Sequence, residues 1–168
     1  MLSMVRRGNR REECEMGDRS KIEWCDATVN AIRGCTKVSE GCEHCYAINT
    51  VRRIGECQKR WNPSIHSLLF FDSETGKVTG WSGKVALDES QLQAPLHWRR
   101  PRVIFWNSLG DSFHESAPDE WRDKCFAVMA LTPQHTHLVL TKRAPRMSEY
   151  IMRADADIWA STEASILL

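Results

Sequence analysis

The chain has 168 residues, 23 Lys and Arg against 22 Asp and Glu, and seven cysteines. That length supports one domain with its own core. The balanced charge gives no bulk attraction to nucleic acid or to an anionic membrane. An odd, clustered set of cysteines argues against a secreted disulfide framework and for metal chemistry in a reducing compartment. No apolar run reaches the roughly 20 residues of a membrane span, and no apolar segment follows the N-terminal arginines to make a signal peptide. The sequence therefore predicts a soluble, cytoplasmic protein.

Residues 1–19 read as a disordered N-terminal extension. Arg6, Arg7, Arg10, Arg11, Glu12 and Glu13 form a mixed-charge run without apolar period. Met16 is a candidate physiological start, and Cys14 reads as a free thiol. From Lys21, Ile22-Glu23-Trp24 and Ala27 to Ile32 read as a short strand running into a cysteine-rich loop. Beyond it, Ala47, Ile48, Val51 and Ile54 share one helical face, with Gly55 as a stop. Ser67 to Phe71 and Lys77 to Thr79 flank Asp72-Ser73-Glu74-Thr75-Gly76 as a hairpin.

Three strand-then-helix units follow. Lys84 to Leu87 leads to a helical piece over Ser90 to Leu96. Arg102 to Trp106 is a continuous apolar run, the pattern of a strand buried on both faces. It ends in the polar string Asn107 to Glu115, and a helix runs from Pro118-Asp119-Glu120 through Leu131. Thr136 to Leu140 is the next strand, ending in Thr141-Lys142-Arg143, and Pro145 to Arg153 the next helix. Asp157 to Ala160 begins one further strand. Alternating strands and helices with hydrophobic, parallel-type strands predict an α/β fold, with polar residues gathered just after strand ends. No G-x-G-x-x-G follows the first strand, which leaves a nucleotide-type doubly wound sheet weakly supported. The strands are too few for a closed eight-fold barrel.

The loop from Arg33 to Ala47 carries Cys35, Cys42 and Cys45 in the spacing C-x6-C-x2-C. Three thiols among Lys37, Ser39, Glu40, Glu43 and His44 have no packing reason to be there, so the loop reads as wrapped around a metal. Cys45 opens the following helix, whose N-terminus favours bound thiolates. On spacing alone, zinc is as good a reading as iron–sulfur. Zinc wants a fourth ligand, for which Cys25, Cys57 and His66 are candidates; His44 is squeezed between two ligands. Cys125 falls on the apolar side of its helix as an ordinary buried thiol.

Several stretches carry a resemblance. They are Lys21-Ile22-Glu23-Trp24, Gly34-Cys35-Thr36-Lys37-Val38-Ser39, Gly41-Cys42, Cys45-Tyr46-Ala47, Pro95 to Pro101, Asn107-Ser108, Asp111 to Glu115, Val128 to Thr136 and Leu140 to Arg143. With them the run from Ser20 to about Ile151 resembles the phage-encoded Gp-thirty-seven/Gp-sixty-eight family of three-cysteine proteins, which is similar to the radical S-adenosylmethionine (SAM) superfamily. The loop is longer than is usual in that superfamily. The resemblance implies a partial (β/α) barrel over residues 20–153, incomplete at the C-terminus, with 154–168 diverged or truncated. It implies a [4Fe–4S] cluster on Cys35, Cys42 and Cys45, leaving one iron for the amino and carboxylate groups of SAM. One electron from a donor protein or reductant would then cleave SAM, and the 5′-deoxyadenosyl radical would abstract hydrogen from a small molecule, nucleotide or nucleic acid. Asp88 or Glu89 would accept the SAM amino group, against a plain role in helix capping. Asn107, Ser108 and Asp111, with His114 and Glu115 less central, would line the pocket, against turn chemistry. Lys142 or Arg143 would meet a carboxylate or phosphate, against plain surface charge.

Overall fold

A computed structural model describes residues 20–58 and 66–153, except for the side chains of 53–58. The expectations for the N-terminal extension, the Cys57 side chain and the strand at 157–160 lie outside the described residues. In chain order the elements begin with β1 (Ala27–Val29) and β2 (Ile32–Arg33). A 3-10 turn at Glu40–Cys42 leads to α1 (Tyr46–Gln58). The hairpin β3 (Leu69–Phe71) and β4 (Val78–Trp81) precedes β5 (Ala86–Leu87) and α2 (Glu89–Gln93). After a 3-10 turn at Ala94–His97 come β6 (Val103–Trp106), α3 (Asp119–Leu131), β7 (Thr136–Val139) and α4 (Ala144–Arg153).

β1, β6 and β7 form a parallel sheet in the order β1-β6-β7, with Val29 beside Trp106 and Trp106 beside Val139. Because all three run the same way, the segments after Val29, Trp106 and Val139 emerge at one edge, where open α/β sheets place their sites. Apolar side chains on both sides explain the continuous hydrophobic runs. Val29, Ile32, Leu92, Ile104, Trp106, Cys125 and Val128 make one buried cluster between sheet and helices. Ala47, Val51, Leu69, Val78 and Leu109 make a second, where α1 lies on the hairpin.

Three expectations need correction. The expected strand over Ala27 to Ile32 is broken: the chain leaves the sheet at Asn30, whose side-chain oxygen accepts from the Ser108 hydroxyl (3.0 Å) and the Leu109 amide (2.8 Å). β5 does not join the parallel sheet. It pairs antiparallel with β2, Ile32 against Leu87, so the unit beginning at Lys84 adds no strand to the parallel sheet. α1 also passes through Gly55 to Gln58. One interior glycine costs about 1 kcal/mol, and the packing of Ala47 and Val51 on the hairpin offsets it.

The sheet contains an imidazole whose neutral tautomer is set by its neighbours. The Trp106 indole N–H donates to His137 Nδ1 (3.0 Å), so Nε2 carries the proton, facing the Thr132 carbonyl and hydroxyl (both 3.2 Å). Burial holds His137 below the ordinary imidazole value, against the Thr132 carbonyl and with nearby His135 adding to the depression. Burial, then Arg143, does the same to His114. Below an unfolded-state value of about 6.5 the unfolded chain binds more protons than the folded one. Stability from these groups is therefore complete above that pH and falls as the pH drops below it. Urea midpoints are expected to be lower at pH 5.5 than at pH 7.5, and His137→Gln to narrow the difference; equal midpoints would contradict this.

Candidate metal centre

The cysteine loop leaves β2 through Gly34, at φ 94°, whose amide donates to the Leu109 carbonyl (3.1 Å). Gly34 and Gly110 form a parallel bridge that joins the start of this loop to the loop after β6. Lys37 and Glu43 pair across the exposed outer side of the loop (2.9 Å). The 3-10 turn then carries Cys42, and the Cys45 amide donates back to the Cys42 carbonyl (3.3 Å). α1 starts at the next residue, Tyr46, whose phenol donates to the Ser108 carbonyl (3.1 Å). Cys45 thus precedes thirteen residues of helix, where the unpaired amides favour negative sulfur.

Two consecutive residues after β7 turn toward this loop. Lys142 Nζ donates to the Gly41 carbonyl (2.5 Å) and lies 3.7 Å from Cys42 Sγ. Arg143 Nη1 lies 3.8 Å from Cys35 Sγ, and its Nη2 donates to the Thr36 hydroxyl (2.8 Å) and carbonyl (3.3 Å). Burial works to raise the Cys42 thiol, but the Val38 and Ser39 amides, the Ser39 hydroxyl and the Lys142 ammonium hold it below the usual thiol value. Burial keeps the Cys35 thiol above its usual value, with Arg143 pulling the other way. Cys125, for contrast, is pushed up to about 12 by burial and is an inert core thiol.

Asp111 fixes this arrangement. One of its carboxylate oxygens accepts from the Phe113 amide (2.9 Å) and the Thr141 hydroxyl (2.7 Å), the other from the Lys142 amide (3.3 Å) and Arg143 Nη1 (2.9 Å). Asp111 and Arg143 are both buried, an ion pair linking the loop after β6 to the loop after β7. Arg143 Nε also donates to Glu115 (2.8 Å), which holds that carboxyl below the ordinary carboxylate range. Buried His114 completes the set: the Ser116 amide donates to its Nδ1 (3.1 Å), and its Nε2–H faces the Thr36 hydroxyl (3.1 Å).

The profile of a family described as a protein of unknown function (DUF5131) matches residues 19–165, spanning the cysteine loop and every strand of the parallel sheet. The chain belongs to this family. No curated protein and no solved structure matches it.

In this DUF5131 chain the other expected site residues have their own partners. Asp88 caps α2, accepting from the Gln91 amide (3.1 Å) and the Ser90 hydroxyl (2.5 Å), and pairs with Arg33 (2.8 Å). Glu89 pairs with Lys124 (3.1 Å) on the surface. Asn107, at φ 56°, is buried; its Oδ1 accepts from the Ile32 amide (2.8 Å) and its amide nitrogen donates to Ser112 (2.7 Å). Ser108 donates to Asn30. Asn107 and Ser108 therefore tie loops together, whereas Asp111, Lys142 and Arg143 converge on the thiol loop. Sequence reasoning missed Thr36, for which adjacency to Cys35 was the only signal, and Tyr46.

Cys35, Cys42 and Cys45 lie on one loop, two of them facing cations and one at a helix N-terminus, but their side chains as placed do not make a metal site. Among the described residues, no three His, Cys, Asp or Glu side chains are gathered as a group that could hold a metal ion. Of the fourth ligands considered for zinc, Cys25 is buried with its thiol on Ser20 Oγ (3.3 Å), and His66 stacks on Phe71 with ring centroids 4.0 Å apart. Among the described residues, no helix is long and apolar enough to cross a membrane.

Proposed function

We propose that this DUF5131 protein is a cytoplasmic, SAM-dependent radical enzyme, with Cys35, Cys42 and Cys45 holding a [4Fe–4S] cluster at the edge of a partial (β/α) barrel. The observation that carries the reading is that both cationic residues after β7 turn back onto sulfurs of the C-x6-C-x2-C loop. Exposed lysines ordinarily point to water, and the Lys142 ammonium beside Cys42 favours the thiolate there, whereas Arg143 is buried and held chiefly by Asp111, Glu115 and Thr36. Held by Cys35, Cys42 and Cys45, such a cluster would supply the one-electron reduction that cleavage of SAM needs, with the electron replaced by an external donor.

The chain's own residues would do the rest. Asp111 would orient Arg143, Arg143 would hold the Thr36 end of the loop, and Lys142 would hold the Gly41 end. Tyr46 would tether the start of α1 to the loop after β6. The reading requires an electron donor, and a small molecule, nucleotide or nucleic acid as substrate. After anaerobic reconstitution, the protein is expected to hold about four irons per chain and to release 5′-deoxyadenosine from SAM under dithionite. Cys42→Ser and Cys45→Ala are expected to lose most of that iron. A single zinc per chain, or iron content untouched by Cys42→Ser, would overturn the proposal.

A further inference from the structure

We infer that Cys42 and Cys45 form a redox-active dithiol–disulfide pair. The inference does not rest on the iron–sulfur reading above. The Cys45 amide donates to the Cys42 carbonyl (3.3 Å), and Glu43 between them has helical backbone angles, φ −61° and ψ −41°. A bond of this kind closes a four-residue turn whose end Cα atoms lie within about 7 Å, and a disulfide spans Cα atoms about 4.4–6.8 Å apart. No other two cysteines of the chain are three residues apart.

The other described thiols are engaged elsewhere. Cys35 donates to the Thr36 carbonyl (3.3 Å) and faces the Arg143 guanidinium, Cys25 lies on Ser20 Oγ, and Cys125 is sealed in the core. The two members of the pair differ in access: Cys45 is half-buried, whereas Cys42 is only 7 % exposed. That difference sets the order of exchange with a small disulfide such as oxidised glutathione. The Cys45 thiolate attacks one glutathione sulfur, the glutathione S–S bond breaks, and one glutathione thiolate leaves. The Cys42 thiolate then attacks the Cys45 sulfur of the mixed disulfide and expels the second glutathione. The two protons given up by the cysteines end on the two glutathiones, so two protein thiols are oxidised and one disulfide is reduced.

The pair also reaches the far end of the described chain. The Cys42 sulfur lies 3.7 Å from Ser39 Oγ and 3.7 Å from Lys142 Nζ. A disulfide sulfur carries neither proton nor charge, so closing the ring weakens the contact with Lys142 and leaves that side chain on the Gly41 carbonyl. Oxidation of the loop is thereby felt by the segment after β7.

To test this, the full chain would be treated with chelator, equilibrated with oxidised glutathione, alkylated and digested with trypsin. Cleavage after Lys37 and Arg52 yields a peptide of residues 38–52 that holds Cys42 and Cys45 and no other cysteine, while Cys35 falls in the peptide between Arg33 and Lys37. The expected product is the 38–52 peptide without alkyl groups and lighter than its reduced form by two hydrogens. It should exceed any cross-linked peptide roughly tenfold or more, because the turn raises the effective concentration of one thiol at the other. Cys42→Ser, which lacks the second attacking thiol, is expected to accumulate a glutathione adduct on Cys45, and Cys45→Ser to take up several-fold less on buried Cys42. A main product that joins either cysteine to Cys25 or Cys35 overturns the proposal, as does a wild-type chain whose Cys42 and Cys45 are both still alkylated. Equal adducts on the two single variants overturn the order of attack. Because the assay is run without metal, its failure leaves the iron–sulfur reading standing, and failed iron uptake leaves the pair standing.

Discussion

Asp111→Ala is expected to lower folding stability by about 3–5 kcal/mol, the cost of removing one partner from a buried ion pair. The carboxylate accepts four hydrogen bonds from residues 113, 141, 142 and 143. Its loss leaves a buried guanidinium whose remaining carboxylate partner, Glu115, is more than half exposed. Urea unfolding of the metal-free protein should show a lower midpoint with an unchanged slope. In a double-mutant cycle, Arg143→Leu is expected to cost much less in the Asp111→Ala background than in wild type, because its partner has already gone. Additive losses would show that the pair is not the unit holding the two loops. The same variant frees the Lys142 backbone amide from its anchor.

Gly34→Ala is expected to cost roughly 2–5 kcal/mol, combining left-handed backbone strain with overpacking. At φ 94° an L side chain is already disfavoured, and a Cβ there would lie 2.1 Å from the Lys84 carbonyl oxygen. That oxygen belongs to the backbone just ahead of β5 and cannot swing aside as a side chain would. To relieve the overlap, the β2–β5 pairing or the start of the cysteine loop must move. Gly76→Ala is the control: it also has positive φ (63°), but no atom lies within 4 Å of the added carbon. It should show only the strain. Urea midpoints of the two variants separate the contributions, and equal losses would rule out the clash as the cause.

The sequence conveyed the parts of the fold that have a period or an uninterrupted apolar run. β6, β7, α3 and α4 lie close to where hydrophobic pattern and turn residues put them. Elements set by single tertiary contacts were not legible. A two-residue pairing such as β2 with β5 has no pattern to read, and the break in β1 arises because the Asn30 side chain is taken up by residues 78 and 79 positions away. The site was partly legible: the thiol spacing marked the loop, and polar residues after strand ends marked its surroundings. Which of them face sulfur was not. Asn107 and Asp111 look alike in sequence, yet one ties backbone segments together and the other anchors a guanidinium. Lys142 and Arg143 stood as alternatives, whereas the fold uses both.

The bridge from Cys42 to Lys142 has a consequence for biosynthesis. A nascent chain exposes its thiols long before the ribosome has made their cationic partners, and those partners come into place only once β7 has docked beside β6. Any truncation ahead of Thr141 would therefore leave the Cys42 and Cys35 sulfurs without these counter-charges, however well the first half folds.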